Sequence, residues 1–260
     1  MADVIVSRVG AVGKIVLSNP GKHNALTFEM WSKLPKVLGA LDADTSVRVI
    51  IIQGDGDGAF CSGSDISQFQ SMRTGLDAQA HYNKAVEEAH LAPARCGKPV
   101  VAKIRGICYG GGMGFATACD IRMCAENARF RIPAARIGIG YPGVGIARLL
   151  PLLGPQRTGD ILFSGRSFNA AEASSLGFVA SVSECRHLDD DVDEWAQRVA
   201  DNAPLTIRAI KRALVALTVN PGMPLAEEIE AEIAACFSSE DYQEGTQAFR
   251  EKRAPMFKGR

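Results

Sequence analysis

Lys98-Pro99-Val100-Val101-Ala102-Lys103-Ile104, then Arg105-Gly106-Ile107-Cys108-Tyr109, then Gly110-Gly111-Gly112-Met113-Gly114-Phe115-Ala116-Thr117-Ala118-Cys119-Asp120, is the stretch whose reading decides the fold. A short run rich in valine and isoleucine, opened by a proline, has the pattern of a buried strand. The small apolar residues Met113–Cys119 suit a tightly packed helix. Between them, three glycines present bare backbone N–H groups where the helix begins. The first N–H groups of a helix have no internal partner and carry the positive end of its dipole. Such a site holds a developing oxyanion with no side chain in the way. The same glycines also suit a plain close contact between helix and sheet.

A second junction of the same kind lies upstream. Val47–Ile52 is a continuous apolar strand, as expected where both sheet faces are covered. Gly54-Asp55-Gly56-Asp57-Gly58 then leads into Ala59-Phe60-Cys61-Ser62-Gly63-Ser64-Asp65-Ile66. Two such junctions side by side in a sheet offer two N–H groups to one oxygen. Toward the N-terminus, Val4–Val9 and Lys14–Leu17 read as strands joined through Gly10–Gly13, followed by the turn cluster Ser18–Asn24. Thr27 caps a helix with the stripe Phe28, Trp31, Leu34, Val37, Leu38 and Leu41, which Pro35 should kink. Ser71–Asp77 reads as a surface loop and Ala78–Ala94 as a helix. Beyond the central stretch, Ile121–Ala125 is a strand, and Asn169-Ala170-Ala171-Glu172 is a capping box whose helix Gly177 ends. From His187 the chain reads as all-helical.

The domain reading is a core over residues 1–190 and a helical region over 191–260. Leu214, Leu217, Ile229, Ile233 and Phe237 on the late helices need a surface, either the core or another subunit. The 260 residues carry 29 basic and 29 acidic side chains, so no global field favours nucleic acid or an anionic membrane. No apolar run is long enough to span a bilayer, and the N-terminus reads as a strand rather than a targeting segment. Seven scattered cysteines with no CxxC pair argue against zinc and disulfides and for the reducing cytoplasm. No metal is expected.

The chain resembles the crotonase superfamily, also called enoyl-CoA hydratase/isomerase. The resemblance rests on Asn19–Leu26, Ala59–Ile66, Lys98-Pro99 through Gly112, Cys119-Asp120, Phe163-Ser164-Gly165 with Ala170–Ala173, and Ser239–Gly245 with Phe249–Arg253. It implies an α/β fold, a spiral of ββα repeats with a C-terminal helical region that builds homotrimers, often paired into hexamers. It implies an acyl-CoA thioester as substrate, with no cofactor beyond the coenzyme A that the substrate carries. The oxyanion-hole N–H groups fall on Ser64 and Gly111. Lys22, Ala25 and Leu26, with Ser62, Asp65 and Ile66, match the part that holds coenzyme A, Lys22 being placed to meet a phosphate.

The resemblance also marks departures. The two hydratase glutamates would stand at Gly114 and Ala134, and an aspartate used by some relatives would stand at Pro142. Paired general acid–base hydration therefore lacks its groups. Tyr141 matches a tyrosine of decarboxylase relatives and is the remaining acid candidate, although a Tyr-Pro pair also fills turns. Arg136 offers a counter-charge to a substrate anion, or a structural salt bridge. Asp65 and Asp120 read as turn and helix-start stabilisers. None of His23, His81, His90 and His187 stands in a triad context, which disfavours a serine nucleophile. Three readings follow: an enolate-stabilising acyl-CoA enzyme, a malonyl-type decarboxylase using Tyr141, and a non-catalytic CoA-ester binder or assembly subunit.

Overall fold

The computed structural model describes residues 2–68 and 75–260. Strands β1 (Asp3–Val9) and β2 (Val12–Ser18) form an antiparallel hairpin, followed by α1 (Phe28–Ala43). Three ββα units come next: β3 (Val49–Gly54), β4 (Ala59–Cys61) and α2 (Leu76–Arg95); β5 (Val100–Ile104), β6 (Ile107–Tyr109) and α3 (Gly111–Ala118); β7 (Ile121–Ala125), β8 (Arg129–Arg131) and α4 (Gly143–Ser164). Then come β9 (Ser167–Asn169), α5 (Ala170–Ser175) and β10 (Ser181–Ser183). The chain ends in α6 (Leu188–Ala200), α7 (Pro204–Val219), α8 (Glu227–Cys236) and α9 (Glu240–Glu251). Of the loop expected at Ser71–Asp77, residues 71–74 lie outside the described residues.

Each ββα unit sends its first strand to one sheet and its second to the other. The larger sheet has the order β1-β2-β3-β5-β7-β10, the smaller β4-β6-β8-β9. This is the repeat that the crotonase resemblance implies. Ile50 and Ile52 face the main core with Val100, Ala102 and Ile104. Val49, Ile51 and Val101 face the other way, against Leu188, Val192 and Ala196 of α6. Both faces are covered, which is why β3 is apolar from Val49 to Ile52.

Local signals account for the helix ends. The Thr27 hydroxyl accepts from the Met30 N–H at 3.2 Å, and the Asn169 side chain accepts from Glu172 N–H at 2.9 Å. Helix α1 runs through Pro35 to Ala43. Helix α6 crosses the boundary drawn at residue 190 and packs under the sheet. Helix α7 is pinned through buried Lys211, whose ammonium meets the Asp120 carboxylate at 2.7 Å and the carbonyls of Pro93 and Lys98 at 2.8 and 2.6 Å. Of the tail positions that needed a surface, Ile229 is buried and Ile233 half-buried, whereas Leu214, Leu217 and Phe237 are exposed. Cys61, Cys96, Cys108, Cys119 and Cys124 are buried free thiols; burial pushes Cys61 up to about 12, which leaves it inert.

Candidate functional site

Strands β4 and β6 pair in parallel, with Ala59 opposite Ile107 and Cys61 opposite Cys108. Their carboxyl ends therefore lie side by side, and so do the two glycine-bearing junctions that leave them. In the first, Leu26 N–H donates to the Gly63 carbonyl and Asp65 N–H donates to that of Leu26, both at 2.8 Å. In the second, Gly110 N–H donates to the Arg131 carbonyl at 2.7 Å, and Gly110 turns the chain with φ 52° into α3. A β-carbon at Gly112 would lie 2.3 Å from the Cys61 carbonyl oxygen, so only glycine lets the first turn of α3 rest on β4. Between these anchored groups, the N–H groups of Ser64 and Gly111 donate to no acceptor among the described residues. A β-carbon at Gly111 would lie 3.6 Å from Ser64 N, and one at Gly63 would lie 3.2 Å from Gly111 N. Two unspent donors from two junctions thus stand together.

Two buried rings close in behind them. The Trp31 indole N–H donates to Ser64 Oγ at 3.2 Å, and His90 Nε2 lies 3.3 Å from the Gly111 carbonyl oxygen. The rings meet edge to face with centroids 5.4 Å apart. Burial pushes His90 down to about 4, with the Gly111 carbonyl opposing and the Arg148 charge adding to the shift. The ring is therefore neutral near pH 7, and its Nε2–H is the donor to that carbonyl. Because Ser64 Oγ is held by Trp31 and His90 Nε2 by Gly111, the two do not form a serine–histidine pair.

One helical turn on from Gly111 is Gly114. A β-carbon there would lie 3.2 Å from the Tyr141 hydroxyl and 3.3 Å from His90 Cε1 and Nε2. Tyr141 is half-buried against the main core, and burial raises its phenol well above the ordinary range, so it keeps its proton. Ala134 is half-buried and opens the short turn Ala134–Arg136. Arg136 is exposed and makes no ion pair among the described residues.

The remaining predicted residues gather on the adjoining rim. Lys22 Nζ meets Asp65 Oδ2 and Ser67 Oγ, both at 2.7 Å. Burial pushes Asp65 up, but Lys22 and Ser67 outweigh it and hold the carboxyl below its ordinary value. Asp65 Oδ1 also accepts from Ser67 N–H at 3.0 Å, as a turn stabiliser does. Ser62 Oγ donates to the Lys22 carbonyl at 3.0 Å. Ala25 and Leu26 are buried, and Ile66 is 73% exposed at the edge. Lys22 in this arrangement already has a carboxylate partner, so a phosphate must compete with Asp65 for it. Among the described residues no His, Cys, Asp and Glu cluster suits a metal ion, and no helix is long and apolar enough to cross a membrane.

Sequence reasoning passed over Trp31 and His90. Trp31 reads as core filler on the α1 stripe. His90 lies on the buried face of α2 with Tyr82 and Ala89, and a histidine amid such residues is the one available signal.

The family profile described as Enoyl-CoA hydratase/isomerase matches residues 7–260. The chain is 33% identical over 259 residues to a short-chain-enoyl-CoA hydratase of Clostridium acetobutylicum, covering 96% of this chain and 95% of that protein. It is 34% identical over 255 residues to a carnitinyl-CoA dehydratase of Proteus mirabilis, covering 96% of each. Among solved structures, an enoyl-CoA hydratase/carnithine racemase from Magnetospirillum magneticum superimposes with a TM-score of 0.94 at 33% identity, over 100% of this chain and 97% of that one.

Proposed function

Since the chain belongs to the enoyl-CoA hydratase/isomerase family, we propose that it binds an acyl-CoA thioester and polarises the thioester carbonyl between the N–H groups of Ser64 and Gly111. The observation that carries this reading is the pair of donors at adjacent junctions that have no acceptor among the described residues. A thioester oxygen gains negative charge as an enolate forms, and fixed donors are worth most at that moment. Loss of one such donor costs about 3–4 kcal/mol on the scale of known oxyanion holes. Lys22, Ala25, Leu26, Ser62, Asp65 and Ile66 form the rim that takes coenzyme A, with Lys22 released from Asp65 when a phosphate arrives.

With Gly114 and Ala134 where glutamates would serve, hydration by a carboxylate pair is not the reaction this reading favours. The Tyr141 hydroxyl beside Gly114 favours a second one, loss of carbon dioxide from a malonyl-type thioester. The breaking C–C bond leaves its electrons in the enolate, held at the two N–H groups. Its α-carbon then takes the phenolic proton of Tyr141, which recovers one from water. Burial raises the Tyr141 phenol, so it holds that proton until the enolate forms. Purified protein incubated separately with crotonyl-CoA and methylmalonyl-CoA, followed by mass spectrometry, tests both. Loss of carbon dioxide slowed about 100-fold by Tyr141→Phe supports the decarboxylase. A water adduct on crotonyl-CoA defeats it and requires another base. Binding across a thioester panel without turnover supports a CoA-ester binder.

The exposed Ile210, Leu214, Leu217 and Phe237 support assembly with further copies of the chain, as a trimer or hexamer. Light scattering on the eluted protein tests this, and a monomer at working concentration would refute it.

A further inference from the structure

The two N–H donors come from separate segments, and strand pairing alone does not fix their spacing to the tolerance that a shared oxygen needs. We infer that Trp31 and His90 are positioning residues, a buried bracket that sets where the Ser64 and Gly111 donors stand relative to each other; this rests on the oxyanion-hole reading above.

Trp31 touches both donor residues from a third element, α1. Its indole N–H, fully buried, needs an acceptor, and Ser64 Oγ supplies it at 3.2 Å. The benzo carbons next to that N–H stand against Gly111, where a β-carbon would meet Trp31 Cζ2 at 3.1 Å and Cη2 at 3.5 Å. One rigid ring edge therefore lies against both donor residues. His90 reaches Gly111 from α2, through its carbonyl at 3.3 Å, and packs edge to face on the indole. This histidine is buried with its Nδ1 unpartnered among the described residues. A leucine there would avoid the cost of an orphaned nitrogen, so packing alone does not account for the imidazole. What distinguishes it is the hydrogen bond to Gly111. Each ring acts through a donor residue, Trp31 through Ser64 Oγ and His90 through the Gly111 carbonyl.

The test reads polarisation of the carbonyl directly. Acetyl-CoA and crotonyl-CoA, isotope-labelled at the thioester carbonyl, are bound to the full chain, and the C=O stretch is followed by difference infrared spectroscopy alongside the dissociation constant. The wild-type protein should lower the stretching frequency. Trp31→Phe keeps an aromatic ring and removes the N–H; it should lose about half the shift with affinity changed less than about three-fold, since polarisation and ground-state binding separate. His90→Leu should weaken the shift likewise, and His90→Gln, whose amide N–H reaches for the same carbonyl, should restore most of it. Ser64→Ala breaks the Trp31 bond from the other end and decides the matter if Trp31→Phe does not fold. A full shift in Ser64→Ala and in His90→Leu, with folded spectra, would overturn the bracket and leave the hole standing. No shift, or no binding, in the wild-type protein would overturn the hole and the bracket with it.

Discussion

At one part of the site the polar groups belong to the backbone of Ser64 and Gly111; around Gly114 they belong to the side chains of Tyr141 and His90. The backbone donors follow from topology. Parallel pairing of β4 with β6 places two junctions together, and the glycines leave two N–H groups there, whose fine spacing is what the Trp31 and His90 bracket adjusts. The wall at Gly114 has no such guarantee. Gly114 leaves room that the Tyr141 hydroxyl and the His90 ring border, and each of these is one substitution from being something else. The difference teaches that the two N–H groups are tied to the strand pairing, whereas the polar groups around Gly114 are set residue by residue.

The sharpest way to break this comparison is to place a methyl on the backbone side. In Gly112→Ala the new β-carbon meets the Cys61 carbonyl at 2.3 Å and its β-carbon at 2.7 Å, with no flexible tip to yield. Overpacking against backbone should cost about 3 kcal/mol or more, read as a shift in the denaturant midpoint. A near-neutral result would mean that the junctions slide freely, and the rigidity argued for the donors would fail.

The next largest effect comes from the side-chain wall, through pH. His90 sits at about 4 when folded, against an ordinary value near 6.5. As pH falls from about 6.5 to about 4, the unfolded chain takes up this proton and the folded chain does not. Stability is therefore full above about 6.5 and declines through that window by up to about 3 kcal/mol. His90→Gln should remove this part of the slope. Urea midpoints of the two proteins, compared at about pH 7 and about pH 4.5, test it, and parallel pH profiles would show that His90 is not held neutral by the fold.

A third test leaves the site for its support. Asp120→Asn strips the carboxylate from Lys211, whose ammonium is buried at the seat of α7. The Pro93 and Lys98 carbonyls remain as acceptors, and Asp120 itself is partly exposed, so the loss should be about 2 kcal/mol rather than the full cost of an orphaned charge. Protection of α7 amides in hydrogen exchange should fall with it. Unchanged protection would mean that apolar contacts, not this ion pair, hold the tail to the core.

The course of these experiments mirrors what was legible beforehand. Val100–Ile104, the triple glycine, the Thr27 and Asn169 caps and the paired junctions could all be read from sequence, because each signal lies within a few residues of the structure it specifies. The same holds for which N–H groups face each other, since that depends on local turns and one strand pairing. Trp31 and His90 could not be read in this way. Their roles arise where α1 and α2 meet the junctions in space, and nothing near either residue in sequence points to Ser64 or Gly111. Lys211 with Asp120 is another long-range pair of this kind. Helix α6 runs across residue 190, continuing the helical pattern of the tail while burying Leu188, Val192 and Ala196 under the sheet; periodicity identifies a helix, but not what it covers.

The smallest predicted effect is the most informative about the variable wall. Gly114→Ala adds the same methyl as Gly112→Ala, two residues along the same helix. Here the β-carbon meets the Tyr141 hydroxyl at 3.2 Å and the His90 ring at 3.3 Å, both side-chain atoms that can give by a few tenths of an ångström. Alanine also favours the helix over glycine by about 1 kcal/mol, so the two terms nearly cancel and the net change should stay within about 1 kcal/mol. Thermal melts of the two variants side by side measure the contrast. A loss at Gly114 as large as that at Gly112 would mean that Tyr141 and His90 are as fixed as backbone, and the wall would then be part of the inherited frame. A small one means that this wall yields to a methyl group where the junction at Gly112 does not.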